Sequence, residues 1–469
     1  MRKTKIIATL GPASATPAEF EALLTAGVNV FRINCSHARP DWIRQAVPGI
    51  RSVARRLGMP VGVLLDTQGP SIRTGDVAAP IPLSVGDPFV FTVPGATVSG
   101  VKSTSVNYAD FPRDVEVGRI LLVDNGGLTL RIHSKTATQV ECEVLTDGQM
   151  GSRRHINLPG VRLSLPALTP KDHADIALGL ELRVDLIAQS FVRDPDDVGE
   201  LRSLVRNAPH PVQLVAKIEH QFAVDHFDAI AQAADAIMVA RGDLGIECPY
   251  EELPIIQRRI VKHCLMIGRP VIVATEMLES MTENPFPTRA EITDVANAVF
   301  EQADAIMLSG ETAAGKYPVQ CVRVMDRIAS RIERSGGANY HEAAVMGNAR
   351  EMLVQSAVLL ADQLKAAALI VFTHDGQLAR DAAGRRPRHS PIFAFSPDDS
   401  LAGSLSLLRA VHPISLPACA EDPAGSVEGA LTRLRLLGRV HSGDRVVVII
   451  PHLSSNDNEV EAVKMHVIE

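Results

Sequence analysis

With 469 residues, 46% of them hydrophobic and 22% charged, the chain has the composition of an ordinary globular protein, with room for roughly two to four domains. A formal net charge of -7 argues against a general nucleic-acid binder, and no run reaches the ~18 apolar residues of a membrane span, so neither nucleic acid nor membrane is expected as a partner. The six cysteines (Cys35, Cys142, Cys248, Cys264, Cys321, Cys419) include no CxxC pair, which excludes a zinc ribbon and a disulfide framework and suits a reducing cytoplasm.

Residues 1–5 pass directly into an apolar strand at 6–9, so no signal peptide is expected. Gly11-Pro12 breaks that strand. Thr16-Pro17-Ala18-Glu19 then has the capping-box pattern with proline at the first helical position, which predicts a helix up to Gly27. A strand at 28–34 leads into Arg32, Asn34 and Ser36 at alternate positions. A helix at 41–57 and a third strand at 61–66, ending in Asp66-Thr67, follow. This βαβαβ rhythm calls for a parallel sheet. It stops near Thr74. From there to Pro166, short alternating segments at 88–93, 119–123, 128–133 and 140–145 lie between turn residues such as Asp124-Asn125-Gly126-Gly127. They predict an all-β insert, a small barrel or sandwich.

Beyond Pro166 the βα rhythm returns. A capped helix opens at Thr169, a strand covers 184–190, a helix starts at Asp194-Pro195, and the strand at 212–219 ends in Lys217 and Glu219. A helix at 220–234, a strand at 236–240 running into Arg241-Gly242-Asp243, a helix at 253–267 and a strand at 271–275 come next. A second capping box, Thr288-Arg289-Ala290-Glu291, opens a helix toward Phe300, and residues 305–309 form the last strand of the set. Strands beginning near 5, 28, 61, 184, 212, 236, 271 and 305 make eight βα units, the count of a closed barrel. The expected fold is therefore α/β: a (β/α)8 TIM barrel from 1–73 and 167–340, an inserted all-β domain at 74–166, and a C-terminal α/β domain at 341–469. That last domain has an Ala-rich helix at 354–364 and strands at 368–372, 391–395 and 445–450.

In such a barrel the active site lies at the carboxyl ends of the strands. Those ends carry Arg32/Asn34/Ser36, Asp66/Thr67, Ser190, Lys217/Glu219, Arg241/Asp243, Thr275/Glu276 and Ser309/Glu311, while the strand bodies are apolar. Lys217 and Glu219 alone would read equally well as a rim salt bridge; a full ring of polar ends reads as a site. Glu219 and Asp243 are hard oxygen ligands on adjacent strands, suited to Mg2+ or Mn2+, and no cysteine or histidine cluster offers a zinc site. Arg32, Arg73 and Lys217 supply positive charge for phosphate oxygens. Gly242-Asp243, just before a helical stretch, places backbone amides where a carboxylate can dock. A metal pair, cations and no evident nucleophile fit phosphoryl transfer or enolate chemistry.

Longer stretches carry a family likeness: residues 2–12 (Arg-Lys-Thr-Lys-Ile-Ile-Ala-Thr-Leu-Gly-Pro), Leu65-Asp66-Thr67 through Gly69-Pro70 to Ile72-Arg73-Thr74-Gly75, Asn157-Leu158-Pro159-Gly160, Lys217-Ile218-Glu219, residues 238–245 (Met-Val-Ala-Arg-Gly-Asp-Leu-Gly), Pro287-Thr288-Arg289-Ala290-Glu291, and Met307-Leu308-Ser309-Gly310-Glu311-Thr312. On these the chain resembles the pyruvate kinase family from end to end. The resemblance implies transfer of the phosphoryl group of phosphoenolpyruvate to ADP, giving pyruvate and ATP in glycolysis. By matching position it implies that Lys217 neutralises the migrating phosphoryl group and that Glu219 and Asp243 hold the divalent ion. Ala240, Arg241, Gly242 and Asp243 would take the substrate carboxylate through backbone amides. Thr275 would sit by the methylene carbon that gains a proton, with Ser309 in the relay. Arg32 and Arg73 would bind phosphates, with Asn34, His37 and Arg154 on the nucleotide side. Asn34, Ser36, Asp66 and Thr67 match the family's K+ site. The insert would be a lid that closes over the nucleotide and excludes water. A homotetramer and an anionic sugar-phosphate effector are further implications, and Arg385-Arg386-Pro387-Arg388-His389 with residues 373–376 is the candidate effector pocket.

The chain departs from the family pattern at several points. Gln68 replaces a lysine, and Ser71 replaces the glutamate that goes with K+ dependence, which leaves the K+ requirement open. Glu276 replaces a glutamine and adds a carboxylate near the proton-donor side, and Arg153-Arg154 replaces a lysine pair on the insert. Residues 310–317 nearly spell a P-loop but carry Tyr317 where Mg2+ needs Ser or Thr, and Glu311 would repel phosphate. Two other readings stay open: a non-catalytic relative serving as a metabolite sensor, motivated by Gln68, Ser71 and Glu276, and a metal-dependent pyruvate or enolate lyase on the same barrel.

Overall fold

The computed structural model describes residues 1–416, 423–451 and 460–469; Cys419 lies outside them. Eight parallel strands close into a barrel. In chain order they are Lys5–Leu10, Val30–Asn34, Gly62–Asp66, Leu186–Gln189, Gln213–Ile218, Ala236–Ala240, Val271–Ala274 and Ala305–Leu308. The first strand pairs with both the second and the eighth, which completes the circle.

Strand side chains alternate, and in a barrel one set points inward. The inward set is apolar low in the barrel, where Ile7, Val30, Leu64, Val215, Met238 and Ile272 form one buried cluster. Two residues further along these strands come Thr9, Arg32, Asp66 and Lys217, so the same periodicity that fills the core lifts a polar layer to its mouth. The outward set, including Ile6, Ala8, Phe31, Ile33 and Leu65, packs under the surrounding helices. Met277 and Met281 are fully buried there.

Capping matches the sequence signals. Thr169 and Thr288 each accept from the backbone amide three residues on, and Asp172 and Glu291 reach back in return. The helix expected over 220–234 is instead two, Gln221–Asp225 and Phe227–Ala233. His226 sits between them at φ -99 and ψ 14, off the helical region, with its Nδ1 3.0 Å from the Phe222 carbonyl oxygen. A histidine ring that hydrogen-bonds the preceding turn competes with helix continuation.

The insert forms a mixed seven-stranded sheet that starts with Ile72–Arg73 and ends, in spatial order, with Lys102–Ser105. A bridge from Thr74 to Val106 joins these two edges, so the sheet curls into a small barrel. Phe89, Phe91 and Phe111 stack edge-on at its centre, with ring centroids 5.0 and 6.0 Å apart. One short helix, Phe111–Asp114, interrupts the otherwise β structure. The C-terminal domain carries a five-stranded sheet, in which Val411–Ser415 and Val460–Val467 join the three expected strands at the edges. Leu407 of this domain packs into the barrel-interior cluster. Arg386 forms a buried two-pronged bond with Asp304 at 2.9 and 2.5 Å, fastening the domain beneath the eighth barrel strand.

Candidate active site at the barrel mouth

Lys217 is the hub of the polar layer and is only 7% exposed. Its Nζ lies 2.7 Å from Glu219 Oε1 and 3.2 Å from Asp66 Oδ1, and donates to Ser190 Oγ at 2.8 Å. Asp66 is gripped on its other oxygen by Arg32 Nε at 2.6 Å, and Arg32 Nη1 donates to Thr9 Oγ1 at 3.0 Å. Part of the ring of strand ends read from sequence is thus one bonded cluster, drawn from the ends of the first to fifth strands, while the ends of the sixth, seventh and eighth make separate contacts.

Electrostatics keep the cluster charged. Burial alone would lower the Lys217 pKa, but Asp66 and Glu219 more than offset it and the ammonium is held well above its ordinary range. Burial likewise works to raise the Asp66 carboxyl, but Lys217 and Arg32 pull it below. Glu219 goes the other way: burial raises it, Lys217 counteracts in part, and the charge of Asp243 adds to the rise. A cation bound by both carboxylates would relieve that repulsion.

Several backbone positions are contorted to build this mouth. Phe191 has φ +55, which aims its amide at Glu219 Oε2, 2.7 Å away. Gly69 has φ +70, and a Cβ there would come within 2.8 Å of both Ser190 and Phe191, so only glycine lets the loop after Asp66 lie this close. Its amide is pinned by Asp172 Oδ1 at 3.0 Å. Thr275 and Glu276 have φ +70 and +54, a conformation rare for a β-branched residue and of the kind that gathers at functional sites. There Thr275 Oγ1 accepts from the Gly242 amide at 2.7 Å and donates to the Ala274 carbonyl at 2.7 Å.

Arg241 does not present its side chain to the mouth. Its guanidinium runs back into the helix layer, to Asp294 at 2.6 Å and to the Thr275 carbonyl at 2.6 Å. It braces the Ala240–Asp243 turn against the Thr275 corner, leaving the backbone amides of Gly242 and Asp243 as the groups at the helix start. Ser309 follows the eighth strand, and its Oγ is buried with no hydrogen-bond partner among the described residues. Glu311 turns inward instead, accepting from the Ser309 and Leu278 amides at 2.6 and 3.0 Å. This capping role explains how an acid fits inside the failed P-loop.

The remaining candidates line the rim. Asn34 Oδ1 accepts from the Ser36 amide at 3.0 Å, and Ser36 and His37 are exposed. Thr67 is buried, its carbonyl accepting from Ser190 Oγ at 2.8 Å. Arg73 stands on the first lid strand, with Nη1 on the Arg153 carbonyl at 3.1 Å, and exposed Arg154 pairs with Asp124 at 3.2 Å. The basic run 385–389 does not form one face: Arg386 is spent on Asp304, Arg388 pairs with Glu342, and Arg385 looks into a cleft against the barrel floor. Residues given no role from the sequence also matter at the mouth. Asn157 of the lid donates to Glu247 Oε1 at 2.9 Å, and His220 lies 3.3 Å from Glu247 Oε2, so a buried polar contact crosses from lid to barrel.

The family profile described as "Pyruvate kinase, barrel domain" matches residues 1–322, and that described as "Pyruvate kinase, alpha/beta domain" matches residues 351–461. The chain belongs to the pyruvate kinase family. It is 37% identical to a pyruvate kinase of Clostridium acetobutylicum over 478 residues, covering 100% of both chains. It is 39% identical to one of Geobacillus stearothermophilus, covering 100% of this chain and 80% of that one. Plastidial pyruvate kinase 3 of Arabidopsis thaliana is 40% identical over 96% of this chain and 78% of its own. The crystal structure of a pyruvate kinase from Cryptosporidium parvum superposes with a TM-score of 0.93 at 32% identity, covering 100% of this chain and 96% of that one. The match runs through barrel, lid and C-terminal domain alike. The fold is the pyruvate kinase fold, and among the described residues no helix is long and apolar enough to cross a membrane.

Proposed function

We propose that the chain transfers the phosphoryl group of phosphoenolpyruvate to ADP, giving pyruvate and ATP, as a glycolytic enzyme of the cytoplasm. The observation that carries this reading is the buried meeting of Lys217 with Asp66 and Glu219 at the barrel mouth, in a chain related along its whole length to pyruvate kinases.

Glu219 and Asp243 suit Mg2+ or Mn2+: both are hard oxygen donors, and Mg2+ takes one or two carboxylates and fills its shell with water and substrate oxygens. Among the described residues no group of three or more His, Cys, Asp or Glu offers a rival metal site. Bound there, the divalent ion supplies positive charge to the phosphoryl and enolate oxygens. Lys217 offsets the charge of the migrating phosphoryl group, and Arg32, with Nε on Asp66 and Nη1 on Thr9, keeps Nη2 for a phosphate oxygen. The Gly242 and Asp243 amides hold the substrate carboxylate, which takes the place of Thr275 Oγ1 on the Gly242 amide. The freed Thr275 hydroxyl stands beside the methylene carbon that must gain a proton, and the unpaired Ser309 Oγ serves the relay. Arg73 and Arg154 bind nucleotide phosphates from the lid side, with Asn34 and His37 across from them.

K+ has its candidate donors in Asn34, Ser36, Asp66 and Thr67 at the paired ends of the second and third strands. Ser71 there holds Arg73 Nε at 3.3 Å and brings no charge, so we read K+ as an activator of small effect. Domain limits of 1–73 with 167–340, 74–166 and 341–469, a homotetramer, and an anionic sugar-phosphate effector complete the proposal. Pyruvate release from phosphoenolpyruvate with Mg2+, measured with and without ADP, tests it. Release that needs ADP supports the kinase. Release without ADP would mean that water rather than ADP takes the phosphoryl group and would contradict the kinase, and binding without turnover at saturating substrates, Mg2+ and K+ indicates a sensor.

A further inference from the structure

The cations and the unbalanced acids of the barrel mouth stand apart. Arg32 and Lys217 gather on Asp66, at the end of the third strand. In the closed ring of strands the seventh lies across from the third, and its end leads into Thr275, Glu276 and then Glu279. Glu276 is exposed, on a backbone corner held at φ +54. A Cβ placed on Gly242 would lie 3.9 Å from Glu276 Oε1 and 3.5 Å from Thr275 Oγ1. That oxygen is therefore within about 6.5 Å of the Gly242 amide nitrogen, since N and Cβ of one residue are about 2.5 Å apart.

Among the described residues the Glu276 carboxylate has no hydrogen-bond partner and no cation at ion-pair distance. The Arg241 guanidinium is turned into the helix layer, held by Asp294 and by the Thr275 carbonyl, each at 2.6 Å. The next acid on the same wall adds to the imbalance. Burial first, and then the charges of Glu311, Glu276 and Glu291, push the Glu279 carboxyl above its ordinary range. Negative charge thus accumulates beside the Gly242 amide, on the side of the mouth away from Arg32 and Lys217.

Resting on the proposed reaction, in which the substrate carboxylate docks on the Gly242 and Asp243 amides, we propose that Glu276 sets the affinity of the site for that carboxylate by repelling it. Phosphoenolpyruvate is kept in place by its phosphate, on Arg32 and Lys217. Pyruvate has given that group up and keeps only its carboxylate and carbonyl oxygens, so the repulsion acts on the group through which the product is still held. Two unit charges about 6 Å apart in a water-exposed site change a binding equilibrium by about three- to tenfold. The carboxylate stays where it is during phosphoryl transfer, so the repulsion bears on binding more than on kcat.

Initial rates of wild type, Glu276→Gln and Glu276→Asp test this. Glutamine removes the charge and aspartate keeps it, and the side chain is exposed and unbonded, so both variants are expected to fold. In Glu276→Gln the KM for phosphoenolpyruvate and the inhibition constant for pyruvate are expected to fall together by about three- to tenfold. The KM for ADP, read from the lid side, is expected to stay within about twofold, and Glu276→Asp to stay within about twofold of wild type in all three constants. Raising NaCl from about 0.05 to about 0.5 M is expected to narrow the gap between wild type and Glu276→Gln. An unchanged or raised KM for phosphoenolpyruvate in Glu276→Gln, an equal fall in Glu276→Asp or for ADP, or a gap that salt leaves untouched would each overturn the proposal. Calorimetric titration of pyruvate with Mg2+ into the same three proteins reads the affinity without turnover. Failure of the kinase reading would show as absent ADP-dependent turnover in wild type. Failure of this inference would show as pyruvate that binds wild type and Glu276→Gln equally, or binds neither.

Discussion

Replacing Lys217 by methionine keeps an unbranched side chain one heavy atom shorter and removes its charge. In the intact mouth, Arg32 and Lys217 face three carboxylates, Asp66, Glu219 and Asp243. The substitution leaves one cation against three, at the point where a phosphoryl group must pass. Removing a single preorganised donor from a reacting oxyanion costs about 10²–10³ in turnover. The adverse field of the uncompensated acids adds to that, so kcat is expected to fall by about three orders of magnitude or more. The fold should tolerate the change better than a generic buried pair, whose breaking costs about 3–5 kcal/mol. Asp66 retains Arg32 at 2.6 Å and Glu219 retains the Phe191 amide at 2.7 Å. A loss of about 3 kcal/mol or less is therefore expected. The assay is the initial rate of ADP-dependent pyruvate formation, with urea unfolding followed by circular dichroism on the same samples. A folded Lys217→Met protein with turnover within about tenfold of wild type would refute the role given to this ammonium.

The contact between lid and barrel carries a pH-dependent test. Burial pushes the Glu247 carboxyl from 4.5 up to about 7, so the folded chain keeps a proton that the unfolded chain has lost, and this contribution to stability fades as pH rises between those values. Glu247→Gln mimics the protonated acid; its urea midpoint is expected to match wild type near pH 5 and exceed it increasingly toward pH 8, and an advantage that shrinks with pH would contradict the assignment. Arg386→Met removes the cation paired with the buried Asp304, leaving it only the Val271 and Arg409 amides, and should cost about 3 kcal/mol in equilibrium unfolding, whereas a loss below about 1 kcal/mol would show that the junction is not held there. Ser71→Glu adds a carboxylate beside Arg73 and the K+ candidates; the ratio of rates with K+ and without is expected to rise severalfold over wild type, and an unchanged ratio would remove Ser71 from the account of K+ response.

Much of the barrel was legible because a period of two had to satisfy two neighbours at once. Val215 belongs to the core and Lys217, two residues later, to the mouth, so one short string announces both strand and site. Caps such as Thr169 and Thr288 were legible because their chemistry is local. What escaped was long-range or too short. Asp172 looked like a helix cap and also pins Gly69, 103 residues away. The Arg386–Asp304 bond spans 82 residues, so the basic run that includes Arg386 read as an effector pocket although one member is buried and paired. Lid strands of two or three residues, such as Ile72–Arg73 and His155–Asn157, are shorter than any alternation can reveal. The Val411–Ser415 strand contains Pro413, which sequence rules confine to an edge, and the edge is where it lies. Arg241 was rightly placed at a strand end, but its direction was set by Asp294, in a helix no local pattern connects to it.

The central claim is that phosphorus leaves phosphoenolpyruvate and arrives on ADP inside this one cup. Phosphorus NMR of the purified chain with phosphoenolpyruvate, ADP and Mg2+ follows that atom directly. The phosphoenolpyruvate resonance is expected to give way to the γ-phosphoryl resonance of ATP in equal amount, with no orthophosphate signal growing alongside. Orthophosphate in place of ATP, or a phosphoenolpyruvate signal that does not change, would contradict the account.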